Sequence, residues 1–132
     1  MKTLKKVVPA LVAVTILTGG GSIATATSAS AATTYSCGNE YQTPNPIAGG
    51  STFSEFGYYS GNDYVPGNGE FSYAAIEAQC LLNTLGYGLT VDGYYGPNTQ
   101  NAVRNLQTTY QIYPMDGFLG PITWPHLREV AR

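Results

Sequence analysis

The chain has 132 residues, with six Lys and Arg against eight Asp and Glu, a single His and a formal charge of −2. That length suits one small domain with a modest core. The charge balance lacks the basic stripe that phosphate backbones demand, so no nucleic acid is expected as a partner.

Residues 1–31 read as a signal peptide. Lys2, Lys5 and Lys6 make a positive start, and Val7 to Leu17 is an apolar run interrupted by Pro9. Ala29-Ser30-Ala31-Ala32 carries the small-x-small pattern of a cleavage site after Ala31, to within one residue. The run is short for a membrane span, although a retained N-terminal anchor is the alternative. The expected location is therefore secreted, extracellular or associated with the cell wall, with no membrane span after signal removal. Removal takes all three lysines. Arg104, Arg128 and Arg132 then stand against eight acids, a formal charge of −5. Such a chain is ill suited to electrostatic adhesion to anionic wall polymers.

Residues 32–69 read as an irregular Gly/Pro/Tyr-rich arm. Pro44-Asn45-Pro46 and Pro66-Gly67-Asn68-Gly69 are turn signals, and no helical period is visible. Thr52 to Phe56 and Tyr58-Tyr59 could form short extended pieces, broken by Gly57 and Gly61. The aromatics at 53–64 either fold over a helical core or form a platform that stacks on sugar rings. Cys37 and Cys80 are the only cysteines. In an exported chain they suggest one disulfide pinning the arm to the first helix, with two free thiols as the alternative.

The first helix is expected over 73–85, with Ser72 as N-cap and Gly86 as stop. Ala74, Ala75, Ala78, Leu81, Leu82 and Leu85 give it an apolar face, and Gln79 sits in its middle as an amide placed to bond loop backbone. The second runs from about Pro97 to Thr109 on Ala102, Val103 and Leu106. Its polar residues Gln100, Asn101, Arg104, Asn105 and Gln107 should mostly face water. The third runs from about Pro121 to Val130 on Trp124, Leu127 and Val130, with Pro125 tolerated in its first turn.

Two phrases precede the last two helices and say the same thing. Asp92-Gly93-Tyr94-Tyr95-Gly96-Pro97-Asn98-Thr99 and Asp116-Gly117-Phe118-Leu119-Gly120-Pro121-Ile122-Thr123 both read D-G-aromatic-x-G-P-x-T, 24 residues apart. This is an internal repeat. Asp92 and Asp116 can hold a turn by accepting backbone N–H bonds, and Gly93 and Gly117 can reach φ > 0. Gly96-Pro97 and Gly120-Pro121 then launch a helix, since Pro at the first helical position sacrifices no hydrogen bond.

The combined pattern resembles the peptidoglycan-binding domain found beside many bacterial cell-wall hydrolases. That family reads V-D-G-x-F-G-P-x-T-x-x-A-V-x-x-F-Q, then D-G-x-x-G-P-x-T-W-x-x-L, after a helix of the type L-Q-x-L-L-N-x-L-G-Y. Here those stretches are Val91 to Gln107, Asp116 to Leu127, and Ala78 to Tyr87. Leu106 replaces the family's frequent Phe, Ala78 its usual Leu, and Tyr110 to Pro114 a shorter link. The resemblance covers about residues 70–130. It implies an all-α chain: a compact three-helix domain over residues 70–132 preceded by an irregular N-terminal arm.

The residues offer little for catalysis. His126 lacks a matching nucleophile motif. Asp92 and Asp116 could be paired carboxylates, but their turns give them a sufficient local role. Two Cys and one His at these separations match no usual zinc spacing, so no metal or cofactor is implied. Binding is the better reading. Peptidoglycan offers sugar rings and amide-rich stem peptides, which aromatic faces and amide donors around a shallow groove can meet. The resemblance puts that groove near the two turn phrases. Tyr94, Tyr95, Asn98 and Arg104 are the expected contacts, with Asp92, Gly93, Gly96, Asp116, Gly117 and Gly120 shaping the loops. Tyr87 and Tyr113 are further groups near them. The expected function is a secreted, non-catalytic module that binds peptidoglycan, with a wall hydrolase or another secreted protein as a candidate partner. The alternatives are a secreted protein–protein interaction module on the same fold, marked by a patch of the 53–64 aromatics, and a small wall hydrolase using His126.

Overall fold

A computed structural model describes residues 32–47 and 49–131. The segment read as a signal peptide, residues 1–31, lies outside the described residues. Two strands precede three helices: β1 (Tyr41–Pro44), β2 (Thr52–Glu55), α1 (Tyr73–Thr84), α2 (Pro97–Thr109) and α3 (Thr123–Val130).

The hairpin corrects the all-α expectation. β1 and β2 pair antiparallel with Tyr41 opposite Glu55 and Pro44 opposite Thr52. Polar side chains lace the pair: Gln42 Nε2 donates to Ser54 Oγ at 2.9 Å and Ser54 Oγ to Glu40 Oε1 at 2.6 Å. Asn45 closes the connection, donating from its Nδ2 to Ser51 Oγ at 2.7 Å and accepting from Ile47 N at 2.8 Å. The sequence hides this hairpin because only β2 has an inward apolar residue, Phe53, 2% exposed. β2 packs against α1 and α3, so tertiary burial rather than strand pattern selects it.

The helices form as their patterns dictate, with small shifts at the ends. Ser72 caps α1, its Oγ accepting from Ala75 N at 3.0 Å. Pro97 opens α2. α3 begins at Thr123 rather than Pro121, because Pro121 and Ile122 form a turn whose first helical bond is Trp124 N to Gly120 O, 3.0 Å. Every residue of α1 from Ala74 to Leu82 is buried, for α2 and α3 lie against it and the arm covers what remains. Ile76, Leu81, Leu82, Val103, Leu106, Leu119, Trp124 and Leu127 fill the core.

The arm is fastened at two places. Cys37 and Cys80 form a disulfide, with Cα atoms 5.5 Å apart. The second fastening is Arg128, a wholly buried cation on α3. Its guanidinium lies 3.4 Å from Glu77 Oε1 and 3.8 Å from Glu55 Oε1. It also donates to the carbonyls of Tyr59 and Gly61 and, at 3.1 Å, to Asn62 Oδ1. It sits 5.1 Å from the Trp124 ring centroid. Glu77 accepts the backbone N–H groups of Phe56 at 2.8 Å and Tyr58 at 2.9 Å. Burial pushes the Glu77 carboxyl up from its usual range, while those N–H groups and Arg128 pull it back. Among the described residues no buried side-chain nitrogen or oxygen lacks a partner. Phe53 and Phe56 are buried and Tyr58 and Tyr59 half-buried, which leaves Tyr64 as the one exposed ring of the 53–64 aromatics.

Candidate functional site

Each turn phrase is organised by a buried glutamine from the helix before it. Gln79 Oε1 accepts from Gly93 N at 2.9 Å. Its Nε2 reaches Asp92 Oδ1 at 2.9 Å, Tyr94 O at 3.0 Å and Thr99 Oγ1 at 3.1 Å. Gln107 repeats this one loop later, with Gly117 N at 2.8 Å, Asp116 Oδ1 at 3.3 Å, Phe118 O at 3.0 Å and Thr123 Oγ1 at 3.1 Å. Asp92 and Asp116 also accept from Tyr94 N and Phe118 N, at 3.0 and 2.9 Å. The carboxylates therefore hold their own loops.

Gly93 and Gly117 have φ of +78° and +80°. A Cβ on Gly93 would fall 2.5 Å from the Phe71 ring, and one on Gly117 2.9 Å from the Gln100 carbonyl. At Gly96 and Gly120 a Cβ would meet nothing within 4 Å; these two act through their carbonyls, which accept the first bonds of the following helices.

The first loop opens on a groove of about 550 Å³. One wall is residues 87–90 after α1, and the other is the α2 face carrying Asn98, Asn101 and Asn105. Gln79, Asp92 and Thr99 contribute to its lining, as does the exposed Tyr94 ring. Asp92 is the single charged residue in it. Burial pushes the Tyr87 hydroxyl up from its ordinary value, and the phenol can both donate and accept in the groove. The surface offers amides and hydroxyls in quantity and almost no charge. That suits a neutral, amide-bearing ligand held by hydrogen bonds.

The expected contacts divide. Tyr94 and Asn98 line the groove. Tyr95 does not: it is 0% exposed, its hydroxyl donates to Gly117 O at 2.7 Å, and its ring stacks on Phe118. Its expected role as a ligand contact is corrected to a core role that ties the two loops together. Arg104 stands outside the groove, on another face of α2, donating to Asp116 O at 3.1 Å. Asn101 and Asn105, polar residues expected to face water, also line the groove. The signal that marks them is the spacing Asn98, Asn101, Asn105, which puts three amides on one helical face. Tyr113 and His126 are exposed elsewhere.

The second loop has a smaller cleft, about 190 Å³. Asp116, Phe118, Gly120, Pro121, Ile122 and Thr123 line it, each 24 residues after a groove counterpart from Asp92 to Thr99. Ile122 stands where the first groove has Asn98, and Val65 and Pro114 add apolar surface. The two phrases thus share a loop geometry, while the amide stripe borders the first alone. Among the described residues no group of three or more His, Cys, Asp and Glu gathers as a metal site, and no helix is long and apolar enough to cross a membrane.

Comparison with known proteins points to one family. Residues 72–127 match the family model described as "Putative peptidoglycan binding domain". A protein of Kitasatospora aureofaciens, described as an uncharacterized protein in the bpoA1 3′ region, is 37% identical over 120 residues, covering 89% of this chain and 86% of its own. The crystal structure of a peptidoglycan-binding protein from Clostridioides difficile in complex with glutamine hydroxamate is similar over 70% of this chain, with 26% identity and a TM-score of 0.55. This chain spans 58% of that protein's length.

Proposed function

The chain belongs to the peptidoglycan-binding domain family, and on that premise we propose that it is an exported, non-catalytic module that holds peptidoglycan through the groove beside its first turn phrase. The observation that carries the reading is the stripe Asn98, Asn101 and Asn105 facing Tyr87 and Thr90 across a groove with one charged residue. Stem peptides are rich in amides, and side-chain amides both donate and accept, so they pair with a peptide without needing its charge. Tyr94 and Asn98 are proposed as contacts, joined by Asn101 and Asn105, while Asp92 and Gly93 hold the loop. Residues 1–31 are proposed as the export signal, residues 32–69 as an arm and residues 70–132 as the binding domain. Both repeat aspartates are engaged in their loops, which leaves them poorly placed for hydrolysis.

The test is co-sedimentation of the purified protein with insoluble peptidoglycan at low and high salt. Binding that survives high salt is expected, since exposed ionic contacts would be screened and hydrogen bonds would not. Asn98→Ala with Asn101→Ala should reduce the pelleted fraction while the helical signal stays. Failure of the folded, oxidised protein to pellet would overturn the reading.

A further inference from the structure

Three of the large apolar side chains that stand exposed gather in one place. Phe71, Tyr73 and Tyr94 are 39%, 55% and 53% exposed. Phe71 is the hub, its ring centroid 6.0 Å from Tyr73, 5.5 Å from Tyr94 and 5.9 Å from the half-buried Tyr35. Three separate stretches of chain bring these rings together.

The scaffold beneath them is fixed by backbone hydrogen bonds. Gly69 N donates to Tyr95 O at 2.7 Å, Ser72 N to Gly93 O at 2.9 Å and Tyr95 N to Glu70 O at 3.0 Å. Phe71 consequently lies directly opposite Tyr94 in an antiparallel bridge. Tyr35 N donates to Val91 O at 2.8 Å, which adds the start of the arm alongside. Rings held this way lose little freedom when something docks on them. A clustered apolar surface left in water marks an interaction site more often than scattered residues do.

The chemistry of the patch narrows the occupant. Its four side chains are aromatic and uncharged, and three carry hydroxyls. A sugar ring presents a flat C–H face to such rings and a rim of hydroxyls and amides to their polar tips. The patch also continues into the groove, because Tyr94 belongs to both. We infer that Tyr35, Phe71, Tyr73 and Tyr94 form a shelf for the uncharged glycan strand of peptidoglycan, beside the groove for its stem peptide. The inference rests on the peptidoglycan reading of that groove.

The experiment uses the purified chain with three probes: glycan strands stripped of stem peptides, with the freed lactyl carboxylates amidated so that the strand stays uncharged, free stem peptide without sugar, and intact insoluble peptidoglycan. Tyr73 lies outside the groove lining and is more than half exposed, so Tyr73→Ala should keep the fold. It should weaken binding of the stripped glycan roughly three- to tenfold and leave the free peptide unaffected, with Tyr73→Trp restoring glycan binding. Asn101→Ala should do the reverse. A protein that binds intact wall and free peptide but not stripped glycan, or whose glycan binding ignores both Tyr73→Ala and Phe71→Leu, overturns the shelf and spares the groove. A folded protein that binds none of the three overturns both.

Discussion

Gln79 and Gln107 hold equivalent positions in two successive loops, each buried and each bonded to the Asp, the Gly, the aromatic carbonyl and the Thr of the phrase that follows. One neutral amide thus fixes a whole turn from beneath. A carboxamide can do this because it donates and accepts at once, matching an N–H on one side and oxygens on the other.

Replacing that amide should be costly. Gln79→Leu keeps the bulk but strands the Gly93 N–H and removes a donor from Asp92, Tyr94 and Thr99. We expect a loss of about 2–4 kcal/mol, read as a lower urea midpoint with an unchanged slope. Gln107→Leu should lose a similar amount. A loss near zero at either position would show that water replaces the amide.

Arg128 should be equally sensitive, for a different reason. Arg128→Met leaves Glu77 and Glu55 without their cation and the Tyr59 and Gly61 carbonyls without their donor. The expected cost is about 3–5 kcal/mol, with part recovered by adding Glu77→Gln. Hydrogen exchange at the Phe56 and Tyr58 amides should quicken first, because Glu77 holds both. Unchanged exchange there would refute the claim that this cluster fastens the arm.

The disulfide should contribute separately. It closes a loop of 43 residues between Cys37 and Cys80. In the chain-entropy account its removal costs ~3–4 kcal/mol. Cys37→Ala with Cys80→Ala, or reductant on the unaltered protein, should lower the melting temperature clearly. Superimposable melting curves would remove the staple from the account.

Tyr95 predicts a pH dependence. Burial holds its phenol well above the ordinary value of 10.0. The unfolded chain releases that proton first, so stability present below about pH 10 is lost as pH rises toward the folded value. Tyr95→Phe surrenders the hydrogen bond to Gly117 and should be about 1 kcal/mol less stable at neutral pH. Its melting temperature should then fall less steeply than that of the unaltered protein between pH 9 and 11. Parallel curves would show that Tyr95 is not a source of the alkaline loss.

Neighbouring residues show where sequence reading stops. Tyr94 and Tyr95 are chemically identical and adjacent, and both invited the same role. In extended backbone successive side chains point to opposite sides, so one of them had to turn inward. Which one depends on pairing with residues 69–72, a contact from outside the phrase. Likewise Arg104 and Asn101 are both polar and three apart on α2. Only the position of the 87–90 loop decides that Asn101 borders the groove and Arg104 does not.

What the sequence determined by itself was local: three helices with nearly their observed limits, the two matching turn phrases and the motifs that carry the family. Those features depend on side-chain period, capping and φ preference, which act within a few residues. The tertiary structure alone decided the β1–β2 hairpin, the buried Arg128 cluster, the inward turn of Tyr95 and the gathering of Tyr35, Phe71, Tyr73 and Tyr94. The last three join parts of the chain distant in sequence, and the hairpin depends on the packing of β2 against the distant helices α1 and α3. Arg128 meets partners 51 to 74 residues earlier. Such contacts are chosen by burial and by the need to satisfy buried polar groups, and neither is written in a short stretch of residues.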